Sequence, residues 1–170
     1  HHITDAHAQG KGVILLSAHV GGRAIAGQLL QDVPINLVAW KNEAEAIQKF
    51  LASRNLTYEP KVIAINDGAF ASVQIIKALR RGEVVAMLAD RYRGDQTLTI
   101  DFLGKPTRFP KGPFVAAVVS GAPVVLTFNC KTSKTHQHFR AWPPKGGGKV
   151  PRAERDEAIR ELAEYYVREL

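Results

Sequence analysis

His19 is the residue of this chain best placed to move a proton. It follows four consecutive large apolar residues, Val13-Ile14-Leu15-Leu16, and it precedes Gly21-Gly22, so an apolar strand gives way to a turn beside a single imidazole. Ile25, Ala26, Leu29 and Leu30 then resume at helical spacing. That order puts His19 at the carboxyl end of a strand, the edge where open α/β sheets bind ligands. N–H groups of a helix starting there carry partial positive charge. They favour a neutral imidazole, available as a base, and can hold a phosphate or a developing oxyanion. A histidine that only caps or packs at the strand end is the alternative reading of the same spacing.

Other chemistries find less to work with. There is no Gly-x-Ser-x-Gly elbow for a serine nucleophile and no Walker lysine motif, and Gly10-Lys11-Gly12 lacks the spacing of a dinucleotide fingerprint. His136 and His138 would share one face of a strand, but without a third ligand nearby no metal is expected. The aromatics are not interleaved with basic residues as a stacking platform requires, so nucleic acid is not an expected partner. Lys and Arg number 23 against 16 Asp and Glu, a net charge of +7, which points to an anionic partner such as a phospholipid surface or an acidic carrier protein. The lone Cys130 cannot form an internal disulfide, and its place at the end of an apolar run suggests partial burial.

At 170 residues and 45% hydrophobic content, the chain has the material for one domain with a core. A strand over 13–18 leads to a helix over 22–30. A second apolar run covers 35–40, and Asn42 is expected to cap a helix over 43–53 whose inner stripe is Ala44, Ile47, Phe50 and Leu51. A third strand spans 61–65. A helix near 69–80, with Phe70, Val73, Ile76 and Leu79 facing inward, stops at Gly82. A fourth strand over 83–89 ends at Asp90-Arg91. This alternation describes an α/β fold with a mainly parallel central sheet flanked by helices. Later the pattern changes. Residues 97–102 alternate as a half-exposed strand turned back at Gly104, a loop over 109–113 leads into a helix over 114–120, and 124–130 is another central strand. Strand 136–142 lies near an edge, so some antiparallel pairing is expected late in the chain. Residues 143–150 read as a flexible loop before an amphipathic helix over 151–169. No stretch approaches the ~20 apolar residues of a membrane span. The opening His1-His2-Ile3-Thr4, without methionine, suggests a fragment lacking N-terminal and C-terminal parts of a longer chain.

Ser17-Ala18-His19-Val20-Gly21, Asp90-Arg91, Asp101-Phe102-Leu103-Gly104-Lys105-Pro106 and Phe109-Pro110-Lys111-Gly112-Pro113, in that order, resemble the lysophospholipid acyltransferase superfamily. The nearest branch is the bacterial lipid A biosynthesis (lauroyl/myristoyl) acyltransferase-like group, and the likeness covers most of residues 10–142. In that family a His is followed, after four residues, by an acid that orients it. Here the acid position is Ala24 and the usual aromatic before it is Arg23. Asp90, at the carboxyl end of another central strand, is the candidate substitute; its alternative role is an ion pair with Arg91 or Arg93.

The resemblance implies an O-acyltransferase that moves a fatty acyl group from an acyl carrier protein or CoA thioester to a hydroxyl of a lipid or glycolipid. His19 and Asp90 would be catalytic, and Gly21, Gly22, Arg23, Arg91, Phe109, Pro110 and Gly112 would bind substrate. No cofactor is implied beyond the donor itself. The expected place is the cytoplasmic face of a bacterial inner membrane, at an anionic surface, held peripherally or by a segment outside this chain. Ala24 leaves open a second reading, a catalytically impaired descendant that keeps the lipid-headgroup pocket. A soluble anion-binding domain is a third.

Overall fold

The computed structural model describes residues 2–20, 33–53, 60–65, 70–133 and 136–170. The expected helix over 22–30, with Gly21, Gly22, Arg23 and Ala24, lies outside the described residues.

A short helix not foreseen in the sequence, α1 (His2–His7), precedes β1 (Val13–Ser17). Then come β2 (Ile35–Trp40), α2 (Lys41–Ala52), β3 (Lys61–Ile65), α3 (Phe70–Arg80) and β4 (Val84–Leu88). A hairpin of β5 (Thr97–Phe102) and β6 (Lys105–Pro110) leads to α4 (Gly112–Ser120), β7 (Pro123–Lys131), β8 (Gln137–Ala141) and β9 (Lys145–Gly146). A 3₁₀ turn, Arg152–Glu154, opens α5 (Arg155–Glu169).

The main sheet runs β3-β2-β4-β1-β7-β8, with β9 also on β7. The first five strands in that order are parallel; β8 and β9 are antiparallel to β7, and β5–β6 forms a separate antiparallel ribbon. The fold is therefore the expected single α/β domain. β1 and β4 are central because both faces of each are covered, as continuous apolar strands require. Ile14 and Leu16 pack with Ala78, Leu79, Phe114 and Tyr166 of α3, α4 and α5, whereas Val13 and Leu15 pack with Ile3 and Ala6 of α1. Gly12, at φ 70°, lets the chain enter β1 directly under α3: an added Cβ would lie 2.5 Å from the Leu79 carbonyl.

Several expectations change. α2 starts directly off β2, so Asn42 lies inside the helix, and Phe50 is exposed rather than inward. On α3 the buried residues are Ala71, Ile75, Ala78 and Leu79, while Phe70 is 68% and Val73 48% exposed. The alanines allow the close approach to the sheet that larger side chains would block. Phe109 and Pro110 belong to strand β6, not to a loop. Residues 143–150 are tied down by β9, and a Cβ on Gly121 would lie 3.1 Å from the Gly148 carbonyl oxygen. Cys130 is exposed, because β7 there has run past β1 and pairs only with edge strand β8.

Candidate active site

The register between β1 and β4 builds the site. Val13 pairs with Val84 and the ladder runs to Ser17 beside Leu88. Two residues further, on both strands, come His19 and Asp90. The connection leaving β1 leads toward β2 on one side of the pair, and the chain after β4 leads to β7 on the other, which opens the crevice typical of such sheets above their carboxyl ends.

His19 Nδ1 lies 2.9 Å from Asp90 Oδ1 and 3.0 Å from Oδ2, and the His19 main-chain N–H donates to Oδ2 at 3.0 Å. A carboxylate can only accept, so this contact assigns the proton to Nδ1 and leaves Nε2 with its lone pair. Among the described residues nothing hydrogen-bonds Nε2. Both side chains are shielded without being sealed, at 17% and 19% exposure. Among the described residues no ion pair joins Asp90 to Arg91 or Arg93, the alternative that the sequence left open.

His19 lines a cavity of about 510 Å³ whose wall is of mixed character. Val38, Ile65, Ile75, Ile76, Val115 and Val119 supply an apolar stretch, and Arg91, Arg93 and Lys111 supply positive charge, with Glu43 among them. Arg91 is exposed and makes no ion pair among the described residues. Arg93 lies over the Trp40 ring at 4.9 Å, and Lys111 is tied to Asp156 of α5 at 3.1 Å. Gly112, the first residue of α4, also lines the cavity. Among the described residues there is no cluster of potential metal ligands.

Of the residues singled out from sequence, the structure gathers His19, Asp90, Arg91 and Gly112 at one edge. It does not bring Phe109 there. Phe109 is 2% exposed and packs edge-on against Phe102 and Tyr166, so it is a core residue, and Pro110 beside it does not line the cavity. Gly21, Gly22 and Arg23 lie outside the described residues. Trp40 was missed, although it could have been found by the strand-end signal that marked His19, since it closes β2 at the same edge.

The site is thus a parallel α/β sheet with an imidazole oriented by a carboxylate at its carboxyl edge, at the wall of a cavity lined by both apolar and cationic side chains. Residues 1–144 match the family described as bacterial lipid A biosynthesis acyltransferase, and the chain belongs to that family. It is 31% identical over 147 residues to the phosphatidylinositol mannoside acyltransferase of Mycobacterium tuberculosis, a match covering 84% of this chain and 46% of the relative. With the phosphatidylinositol mannoside acyltransferase of Mycolicibacterium smegmatis it shares 25% identity over 124 residues, 71% of this chain and 41% of that protein. The chain thus spans less than half the length of the curated relatives it matches.

Proposed function

We propose that this chain carries the acyl-transfer centre of an O-acyltransferase, with His19 as general base and Asp90 as the group that orients it. The observation that carries this reading is the contact of His19 Nδ1 with both Asp90 oxygens, which leaves Nε2 basic at the wall of the cavity. Nε2 takes the proton of an acceptor hydroxyl as its oxygen attacks the thioester carbonyl carbon. The tetrahedral intermediate collapses, the carbon–sulfur bond breaks, and the departing thiolate receives the proton from the imidazolium, giving an ester and a free thiol. The main-chain N–H groups of Gly112, or of Gly21 and Gly22, are the donors offered to the oxyanion. The apolar stretch suits an acyl chain, and Arg91 and Arg93 suit phosphate oxygens of donor or acceptor.

The relatives' names make a mannosylated phosphatidylinositol the first acceptor to test, with acyl carrier protein and CoA thioesters as competing donors. The surface to test is an anionic inner membrane, as the sequence reading expects; among the described residues no helix is long and apolar enough to cross a membrane. The impaired-descendant reading took its support from Ala24, and Asp90 supplies the carboxylate missing there.

The test is transfer of radiolabelled palmitate from palmitoyl-CoA or palmitoyl-acyl carrier protein to phosphatidylinositol mannoside. Turnover that disappears in His19→Ala supports the proposal. Headgroup binding with no turnover by the unaltered chain identifies the impaired descendant instead.

A further inference from the structure

Tyr166 reaches the base of the catalytic edge from the opposite end of the chain. Its hydroxyl donates to the Ser17 carbonyl at 3.0 Å, across 149 residues of sequence, and the same carbonyl accepts the Ala89 N–H at 3.0 Å. One oxygen therefore joins α5, β1 and β4 just before His19 on one strand and Asp90 on the other. The ring has no freedom to leave. Tyr166 is 0% exposed, and Phe109, Phe114 and Phe128 flank it with centroids 6.4, 5.7 and 6.0 Å away, from β6, α4 and β7 respectively. Burial raises its pKa first and the Asp90 charge raises it further, outweighing the Ala89 main-chain hydrogen bond, so the phenol stays a donor. The residue lies beyond the span 1–144 that matches the family.

We infer that Tyr166 is a positioning residue for the His19–Asp90 pair, fixing the end of β1 through its hydroxyl so that the imidazole stays seated on the carboxylate. This rests on the reading of His19 as the base. Past Ser17 the ladder between β1 and β4 is finished, and the two peptide units leading to His19 are held by Ser17 at one end and Asp90 at the other. Without the Tyr166 hydroxyl the Ser17 carbonyl keeps only the Ala89 N–H, and the less restrained strand end lets the ring tilt. Small displacements matter here, since about 1 Å of misplacement in a catalytic group can cost on the order of a hundredfold in rate.

Tyr166→Phe deletes the donor and keeps the ring. In the 170-residue chain it should lower kcat about tenfold while KM for palmitoyl-CoA stays within about twofold. The ¹⁵N shifts of neutral His19 should change from a single Nδ1–H tautomer to a mixture. Val167→Ala, a neighbouring buried truncation on α5, should lower thermal stability and leave kcat and the tautomer alone. Wild-type kcat and a single tautomer in Tyr166→Phe would overturn the positioning role. If instead His19→Ala retains turnover, or the unaltered chain shows the Nε2–H tautomer, the underlying reading of the base has failed. Should Tyr166→Phe not fold, the unaltered chain still decides: the Tyr166 hydroxyl proton, followed by the isotope shift on Cζ, should exchange slowly with water. Fast exchange would overturn the inference.

Discussion

Asp90 holds His19 at two points, the ring through Nδ1 and the main chain through the N–H, so a single carboxylate fixes both where the residue starts and where its imidazole faces. Asp90→Asn can still accept at Oδ1, but its amide can meet Nδ1 as a donor and reverse the tautomer. Turnover should drop by as much as about 10⁴-fold, by analogy with the same change in a serine-protease triad, while the fold persists. Circular dichroism and a thermal melt beside the transfer assay separate the two effects. Because Nδ1 is already occupied, Ala24→Glu alone should leave the rate unchanged, and a large gain would show that position 24, separated from His19 by four residues, is the acid site after all.

Arg91 is exposed at the cavity and makes no ion pair among the described residues. Replacing it with alanine should weaken binding of a phosphate-bearing substrate about ten- to a hundredfold, the scale of a lost hydrogen bond to a charged group, with the melting temperature unchanged. Arg91→Lys keeps the charge but not the planar fork, and an intermediate loss is expected. If Arg91→Ala instead destabilises the fold and binds normally, the phosphate assignment is wrong.

At the opposite edge of the sheet, buried Glu83 accepts from Arg81 at 2.8 Å and from the buried Asn36 amide at 2.9 Å, with Lys61 at 3.4 Å. The Arg81 hydrogen bonds, helped by Asn36, bring its pKa down from 4.5 to about 2 against the pull of burial. A depressed carboxyl stabilises the fold fully above its unfolded value, so Glu83's contribution should persist above pH 4.5 and fade as pH falls toward 2. Glu83→Ala leaves the Asn36 amide without this acceptor and should cost about 1–3 kcal/mol in urea denaturation at pH 7. At pH 3 the gap between the two proteins should narrow; a constant gap would show that the charge is immaterial.

Vesicle binding should depend on both salt and apolar contact. Arg91, Arg93 and Arg108 are exposed, and so are Phe70, Tyr92 and Val119. Sedimentation with anionic vesicles should weaken as salt rises toward 0.5 M, since screening shortens from about 8 Å at 0.15 M. Phe70→Ser should lower the binding that salt leaves behind. Binding indifferent to both changes would remove the membrane surface from the list of partners.

The sequence by itself determined the strands and the edge. Four apolar residues in a row made β1 a strand covered on both faces, and glycines after it put His19 at the carboxyl end; the same pattern marked β4 and Asp90. The order of motifs was enough to indicate the family. What it could not supply was register. Val13 opposite Val84 is a choice among several pairings of two nearly featureless apolar runs, and only that one carries His19 to Asp90. A one-residue slip would turn the pair to opposite faces. The inward face of α3 was misread for a related reason: Phe70 and Val73 are as apolar as Ile75, and only close packing against the sheet selects the stripe that contains Ala71 and Ala78. Tyr166 was invisible because its partner lies 149 residues away, and no local period records a hydrogen bond made only when α5 closes over the sheet.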